Sequence, residues 1–473
     1  MGLYQLVLSV YMVLATLATS GITVSVSKLT AEQFAKKNYR AAKRILYISM
    51  LLMGTVGLFA GIVLYFGADF AGNILLKDSR TVLALRCLAP GLPFLSVSSC
   101  ITGYFYAQRA VFKPAGAQIF EQIVKLTVVY ALFALWADKG AELAIAAAVL
   151  GITASDTGIC IYQYIMFRLS KRKKSDMNAS MRNIVTSIFR IMLPVAANSY
   201  INSTLRLIEN IVIPSSLKKS GLSKADALGH YGTLKGMVLP LLMFPSAFLT
   251  ALAATIIPAV AGANINKNKE HMNFSLSKAL QLTLVLGIVI VAVFMMFSYD
   301  IGIVIYNSDR AGSMLQTLSF ICPFLYTEII VVAILNGLGQ QLSPLKINVF
   351  DSTVRISMIY FLIPFIGING FVIAIGVSCV LSTTLYLKTL LKVTTLRFEF
   401  INWVLKPTLA AAASALSVHF FVKASLSNYL TLRPALVIGV FVILVIYFIL
   451  IFALGSVTVK DFKWLKESLL SKR

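Results

Sequence analysis

The chain has 473 residues, 58% of them hydrophobic and 13% charged, with a mean hydropathy of +0.85. Apolar runs recur from end to end, which excludes a soluble globular fold and leaves a polytopic membrane protein. The formal net charge of +24 would suit a nucleic-acid partner, but the basic residues are sorted between loops instead of gathered in a patch, and that excludes the class.

Thirteen spans are expected, in chain order at 2–27, 45–67, 82–107, 115–136, 141–167, 185–213, 231–263, 275–298, 316–338, 347–366, 369–387, 407–422 and 434–456. Each is read as a helix on the scale of the about 20 residues that cross a bilayer core. The first is not expected to be a signal peptide, because no basic segment precedes it and its apolar stretch is too long. With the N-terminus as given outside, alternate loops hold roughly three times as much Lys and Arg as the others, which puts those loops and the C-terminus in the cytoplasm. The surplus positive charge is therefore topological, with some attraction to anionic membrane lipid.

The expected fold class is all-α, with two pseudo-symmetric lobes and a C-terminal helix pair. Residues 1–168 form an N-terminal lobe of five spans, and 169–183 a basic cytoplasmic linker. Residues 184–393 form a C-terminal lobe of six spans, 394–456 the terminal pair, and 457–473 a basic cytoplasmic tail. The lobes are related by a long internal repeat at a constant offset. Pro93-Phe94-Leu95 falls on Pro323-Phe324-Leu325, Pro114 on Pro344, Phe120-Glu121 on Phe350-Asp351, Val124-Lys125 on Val354-Arg355, and Tyr130 on Tyr360. The repeat relates spans of the same orientation, so the axis runs along the membrane normal.

The repeat carries charge. Glu121 with Lys125, and Asp351 with Arg355, each set an acid four residues before a base, the favourable helical orientation. An ionisable group at mid-bilayer costs about 3 kcal/mol on insertion scales. Two readings stay open: coupling or gating, in which protonation or a substrate anion breaks the pair, and mutual neutralisation that lets the helix insert. Asp156 and Glu328 lie near the middle of their spans with no base close in sequence; each is protonated, paired with another helix, or open to a coupling cation. Pro90, Pro93, Pro240, Pro245, Pro258 and Pro323 interrupt helices, and Gly57 with Gly61 is a close-packing signal.

No catalytic or metal site is expected. The five cysteines fall within spans as small apolar residues, and His230, His271 and His419 share no ligand spacing. No phosphate-binding loop of a nucleotide motor occurs, and no cofactor is expected. The chain is expected not to be an enzyme.

Two stretches carry a resemblance: residues 1–32, opening Met1-Gly2-Leu3-Tyr4-Gln5, and residues 203–263. Both resemble the stage V sporulation protein B group of polysaccharide transporters. That group lies in the multidrug/oligosaccharidyl-lipid/polysaccharide (MOP) superfamily and is related to lipid II flippases of the MurJ type. The resemblance implies fourteen helices in two six-helix lobes plus a terminal pair. Because Met1–Gln5 match the segment after the family's first helix, that helix is expected to be missing from the sequence as written. Five spans against six in the two lobes agree with this.

The resemblance also implies a function: moving an undecaprenyl-pyrophosphate-linked saccharide, such as lipid II or a spore-cortex precursor, from the inner to the outer leaflet by alternating access. Arg206 and Glu209, one helical turn apart on one face, and Lys235 become the candidate cationic cavity for the pyrophosphate. The alternative is an interfacial group that snorkels to water. Pro240 and Pro245 flank Phe244 in a cavity-side helix and are the hinge candidates. Membrane potential, H+ or Na+ would drive the cycle. Expected partners are the lipid-linked oligosaccharide, membrane lipids and cell-wall synthesis proteins, in a bacterial cytoplasmic membrane. The competing functions are a multidrug antiporter for organic cations and a non-transporting scaffold for envelope assembly.

Overall fold

The computed structural model describes residues 1–108, 110, 112–136, 140–169, 181–250, 252, 253, 256, 269–340, 342–396, 398–423 and 432–458. Helix dominates these residues and no strand occurs among them, as a bilayer requires, since a helix satisfies its own backbone polar groups. The chain divides into two units, Met1–Val212 and Ile213–Arg473. Of the expected linker 169–183, residue 169 ends a helix, 181–183 open the next, and 170–180 lie outside the described residues, as do 459–473 of the expected tail 457–473 and Pro258.

The first unit opens with α1 (Gly2–Thr19) and α2 (Ile22–Ala35), joined through Gly21 at φ 77°. A side chain there would be strained, and a Cβ would sit 2.6 Å from the Met192 carbonyl oxygen. Next come α3 (Tyr39–Asp69), α4 (Val82–Leu88), α5 (Gly91–Ala107), α6 (Phe112–Trp136), α7 (Ala141–Leu169) and α8 (Met181–Lys219), the last of which runs past the unit boundary. Ile22, Leu46, Met53, Ile101 and Phe105 build a core between α2, α3 and α5.

The second unit continues with α9 (Lys224–Thr233), α10 (Leu239–Met243), α11 (Lys269–Tyr306), α12 (Asp309–Leu318), α13 (Cys322–Gly337), α14 (Leu342–Ile366) and α15 (Ile368–Val393). The terminal helices α16 (Lys406–Ser417) and α17 (Leu432–Ala453) pack on α11, where the Tyr447 hydroxyl donates to the Val285 carbonyl at 2.8 Å.

The internal repeat holds in the packing. A Cβ on Gly57 would lie 2.9 Å from the Cα of Pro93, and one on Gly287 would lie 2.7 Å from the Cα of Pro323. Both glycines let a helix backbone approach the equivalent proline closely, and they stand at the same offset as the prolines. Outside this core the apolar residues face outward: Phe66 is 76% exposed, Tyr130 80% and Phe365 86%. Such a surface is stable against lipid chains and not against water.

Ten helices among the described residues are long and apolar enough to cross a membrane, eleven if the pair Ser79–Leu88 and Gly91–Ala107, bent by 42° at Pro90, counts as one. The sequence leads to thirteen. Of the other two expected spans, 231–263 lies in part outside the described residues, and 407–422 falls in a continuous helical stretch from 400 to 423. A proline lacks the N–H for its i−4 carbonyl and its ring crowds that turn, so the preceding turn widens. Before Pro240 a π-turn runs over Leu234–Val238, and before Pro407 another runs over Ile401–Leu405. After Met243 the helix breaks at Phe244-Pro245 and resumes at 246.

Candidate transport site

Three polar constellations interrupt the apolar interior. The first is the duplicated acid–base pair. In α6, Lys125 Nζ lies 4.0 Å from Glu121 Oε1, with side chains 30% and 25% exposed. In α14, Arg355 Nη1 lies 3.3 Å from Asp351 Oδ2, with side chains 21% and 7% exposed. The helical spacing puts each pair on one face, so both contacts follow from sequence. Ser378 on α15 does not: its hydroxyl donates to Asp351 Oδ1 at 2.6 Å and accepts from Arg355 Nη1 at 3.2 Å, tying the second pair to a neighbouring helix.

The second constellation adds one carboxylate to each pair. Asp156, on α7, is buried and accepts from the Tyr11 hydroxyl of α1 at 2.7 Å, within electrostatic reach of Glu121 and Lys125. Glu328, on α13, accepts from the Ser382 hydroxyl of α15 at 3.0 Å, within reach of Asp351 and Arg355. Sequence reasoning left the partners of both acids open, and hydroxyl groups fill the place. A hydroxyl carries no charge to mark it in sequence, which is why Tyr11, Ser378 and Ser382 were not legible.

The third constellation is a pocket of about 540 Å³ within the first unit, between α1 and α8. From α1 it is lined by Gln5, Ser9 and Thr16, and from α8 by Ser199, Asn202 and Arg206. The residues recur every three or four positions, so each helix turns one polar stripe to the pocket. Arg206 is exposed there, while Glu209, one turn on, is 6% exposed. Lys235 stands half-buried on the π-turn of the second unit. Pro240 follows that turn and Pro245 lies in the break after α10. His230, on α9 outside the candidate spans, is held below its ordinary pKa by burial and by the cationic Arg310, with Asp226 opposing.

The family model for polysaccharide biosynthesis proteins matches residues 1–263. The chain belongs to that family. Its relatives include stage V sporulation protein B of Bacillus subtilis (strain 168), 26% identical, with 91% of this chain and 83% of the relative covered. The fold is that of a lipid II flippase MurJ in an inward closed conformation, with a TM-score of 0.69 at 13% identity over 95% of this chain and 91% of that one. An inward-facing multidrug resistance MATE family transporter of the MOP superfamily shares it too, with a TM-score of 0.67 at 16% identity over 83% of this chain and 89% of that one. The expected recognition and fold class stand, and the chain is a multi-pass membrane protein. A sequence relative whose name states an activity, the lipid II flippase MurJ of Bacillus subtilis (strain 168), is 22% identical, with 55% of this chain and 51% of the relative covered, and is a transporter and not an enzyme.

Proposed function

We propose that this chain is a flippase that carries an undecaprenyl-pyrophosphate-linked saccharide, lipid II or a related cell-wall or spore-cortex precursor, to the outer leaflet of the bacterial cytoplasmic membrane by alternating access. The observation that carries the reading is Arg206, an exposed guanidinium on a polar pocket inside an otherwise apolar bundle. A guanidinium presents a planar fork to phosphate oxygens. Family membership and the fold of a lipid II flippase support the cargo class. An organic cation would meet Arg206 as a like charge, which weighs against the antiporter reading.

In this scheme Glu209 steers Arg206, and Lys235 is the candidate phosphate contact of the second unit. Pro240 and Pro245, at the widened turn and the break, absorb the bend between inward and outward states. Glu121–Lys125 and Asp351–Arg355, with Asp156 and Glu328, couple the cycle to H+ or Na+. An anionic head group moving outward across a potential negative inside gains about 2.3 kcal/mol per charge at 100 mV, so the potential drives the loaded step and the cation resets the carrier.

The test is exposure of lipid II on the outer surface of bacteria depleted of their own flippase. The chain restores exposure, Arg206→Lys retains part of it, and Arg206→Gln and Lys235→Gln each lower it about tenfold or more, as loss of a charged hydrogen bond implies. Full activity in both Gln variants would retire the cationic site. No exposure from a correctly inserted wild type would retire lipid II as cargo.

A further inference from the structure

The internal repeat extends to the loops after α3 and α11, and there the two copies part. Lys77 and Asn307 stand at the repeat offset, and both hold a positive φ, 54° and 50°. The residues after them, Asp78 and Ser308, share one N-cap backbone: φ −148° with ψ 108°, and φ −144° with ψ 110°. Two residues further on, the offset sets Arg80 against Arg310. In the first copy the cap carboxylate holds the arginine: Arg80 Nε donates to Asp78 Oδ1 at 2.9 Å, and Nη2 to Oδ2 at 2.8 Å. In the second copy the cap is a serine. Its hydroxyl accepts from the Ala311 backbone N–H at 3.3 Å and brings neither a second oxygen nor a charge. Arg310 is exposed, and among the described residues no carboxylate pairs with it.

Arg310 turns instead to α9. Its Nη1 lies 3.3 Å from where a Cβ on Gly229 would sit, so the bare glycine lets the guanidinium lie against this helix. The next residue, His230, is half-buried and within electrostatic reach of Arg310, and a charged imidazole there meets a like charge. Asp226, on α9, opposes that repulsion, but it is exposed and its Oδ2 accepts from the Ser223 hydroxyl at 2.7 Å. The π-turn that carries Lys235 packs on both α9 and α12, and Asp309 stands exposed beside Arg310 in the chain. Tyr306, at the end of α11, donates its hydroxyl to the Met237 carbonyl at 3.4 Å. Two cations thus flank His230, and the place that Asp78 fills in the first copy holds no carboxylate. A guanidinium fork accepts phosphate oxygens in the geometry in which it accepts a carboxylate.

We infer that Arg310 and His230 form a phosphate-binding site at the loop end of the second unit, in which a phosphate engages the guanidinium fork as Asp78 engages Arg80 in the first. The site goes beyond the flippase reading and does not need it, since a phosphate on a lipid headgroup and a free phosphate bring the same oxygens. The orientation expected from the loop charges puts the site at the outer face. Ile303 and Ile305, on the last turn of α11, are 39% and 53% exposed, which sets the loop beside lipid-facing surface. A bound phosphate replaces repulsion by attraction at His230, so the imidazole takes up a proton as the anion binds, and binding tightens as pH falls.

The test follows the titration of His230 by NMR in the purified full chain, labelled at histidine, in maltoside detergent and phosphate-free buffer. The chain has three histidines, and the His230 resonance is the one lost in His230→Gln. Two probes are added in turn, short-chain phosphatidylglycerol and inorganic phosphate. A bound phosphate is expected to raise the titration midpoint of His230 by roughly one unit, the effect of an opposite charge a few ångströms away. A response to the lipid alone places the phosphate on a headgroup, and a response to inorganic phosphate alone places it on a free anion; both uphold the site. Ser308→Asp rebuilds the arrangement of the first unit. It is expected to abolish the response while the thermal unfolding midpoint stays at or above that of the wild type. No response of the wild type to either probe overturns the site, and that result needs no variant to fold. A response that persists in full in Ser308→Asp and in Arg310→Gln overturns it as well.

Discussion

The two acid–base pairs occupy the same register of one repeat and live in different environments. Glu121 and Lys125 are a quarter to a third exposed and meet at the 4.0 Å edge of an ion pair. Asp351 and Arg355 meet at 3.3 Å, the acid is 7% exposed, and Ser378 clamps both partners. Each unit also places one further carboxylate nearby, but on opposite sides of the repeat. Asp156 comes from the helix after the pair and Glu328 from the helix before it. Duplication therefore preserved the charge pattern while burial diverged. A pair kept only to neutralise itself has no need of a third acid, and its recurrence in both units supports the coupling reading.

The comparison can be broken at its deepest point. Removing one partner of a buried pair strands the other, at a cost of about 3–5 kcal/mol, and Asp351 is more enclosed than Glu121. Arg355→Ala is therefore expected to lower the thermal unfolding midpoint in detergent far more than Lys125→Ala. Equal losses would show that the burial difference carries no energetic weight.

The packing glycines sharpen the same question at the helix interface. A Cβ at Gly57 or at Gly287 overlaps the backbone of Pro93 or Pro323. Gly57→Ala and Gly287→Ala should each cost about 1–3 kcal/mol by overpacking, with similar shifts in denaturant midpoint. Tolerance at one site only would show that the equivalent contacts have diverged as the charges have.

The smallest effect concerns the clamp. Ser378→Ala removes an O–H donor to Asp351 and an acceptor for Arg355, and is expected to cost about 1–2 kcal/mol while leaving the ion pair in place. If the pair couples transport to a cation, the same change also shifts the pH dependence of lipid II exposure. Loss of stability with an unchanged pH profile assigns Ser378 to structure alone.

What could be read in advance follows from where the information is stored. Apolar runs of about 20 residues announce spans because a bilayer has one thickness. The offset from Glu121 to Asp351 announces a duplicated lobe because helix geometry fixes what lies four residues away. Both ion pairs were legible for that reason. The turns associated with two of those spans were less so. Residues 231–263 and 407–422 are apolar enough to suggest single helices, and the widened turns before Pro240 and Pro407 depend on how each proline's missing donor is accommodated.

By itself, then, the amino-acid order determined the membrane class, the repeat and the residues paired within one helix, because each depends on periodicity along the chain, and it pointed to the family through the resemblance of two stretches. Tertiary structure alone decided that Tyr11 reaches Asp156, that Ser382 reaches Glu328, and that Ser20, Asn202, Ser203 and Asn210 converge on one pocket. These are uncharged groups brought together from distant positions. Serine and asparagine are common in any sequence, and only tertiary structure separates a polar stripe that lines a pocket from one that bonds its own backbone.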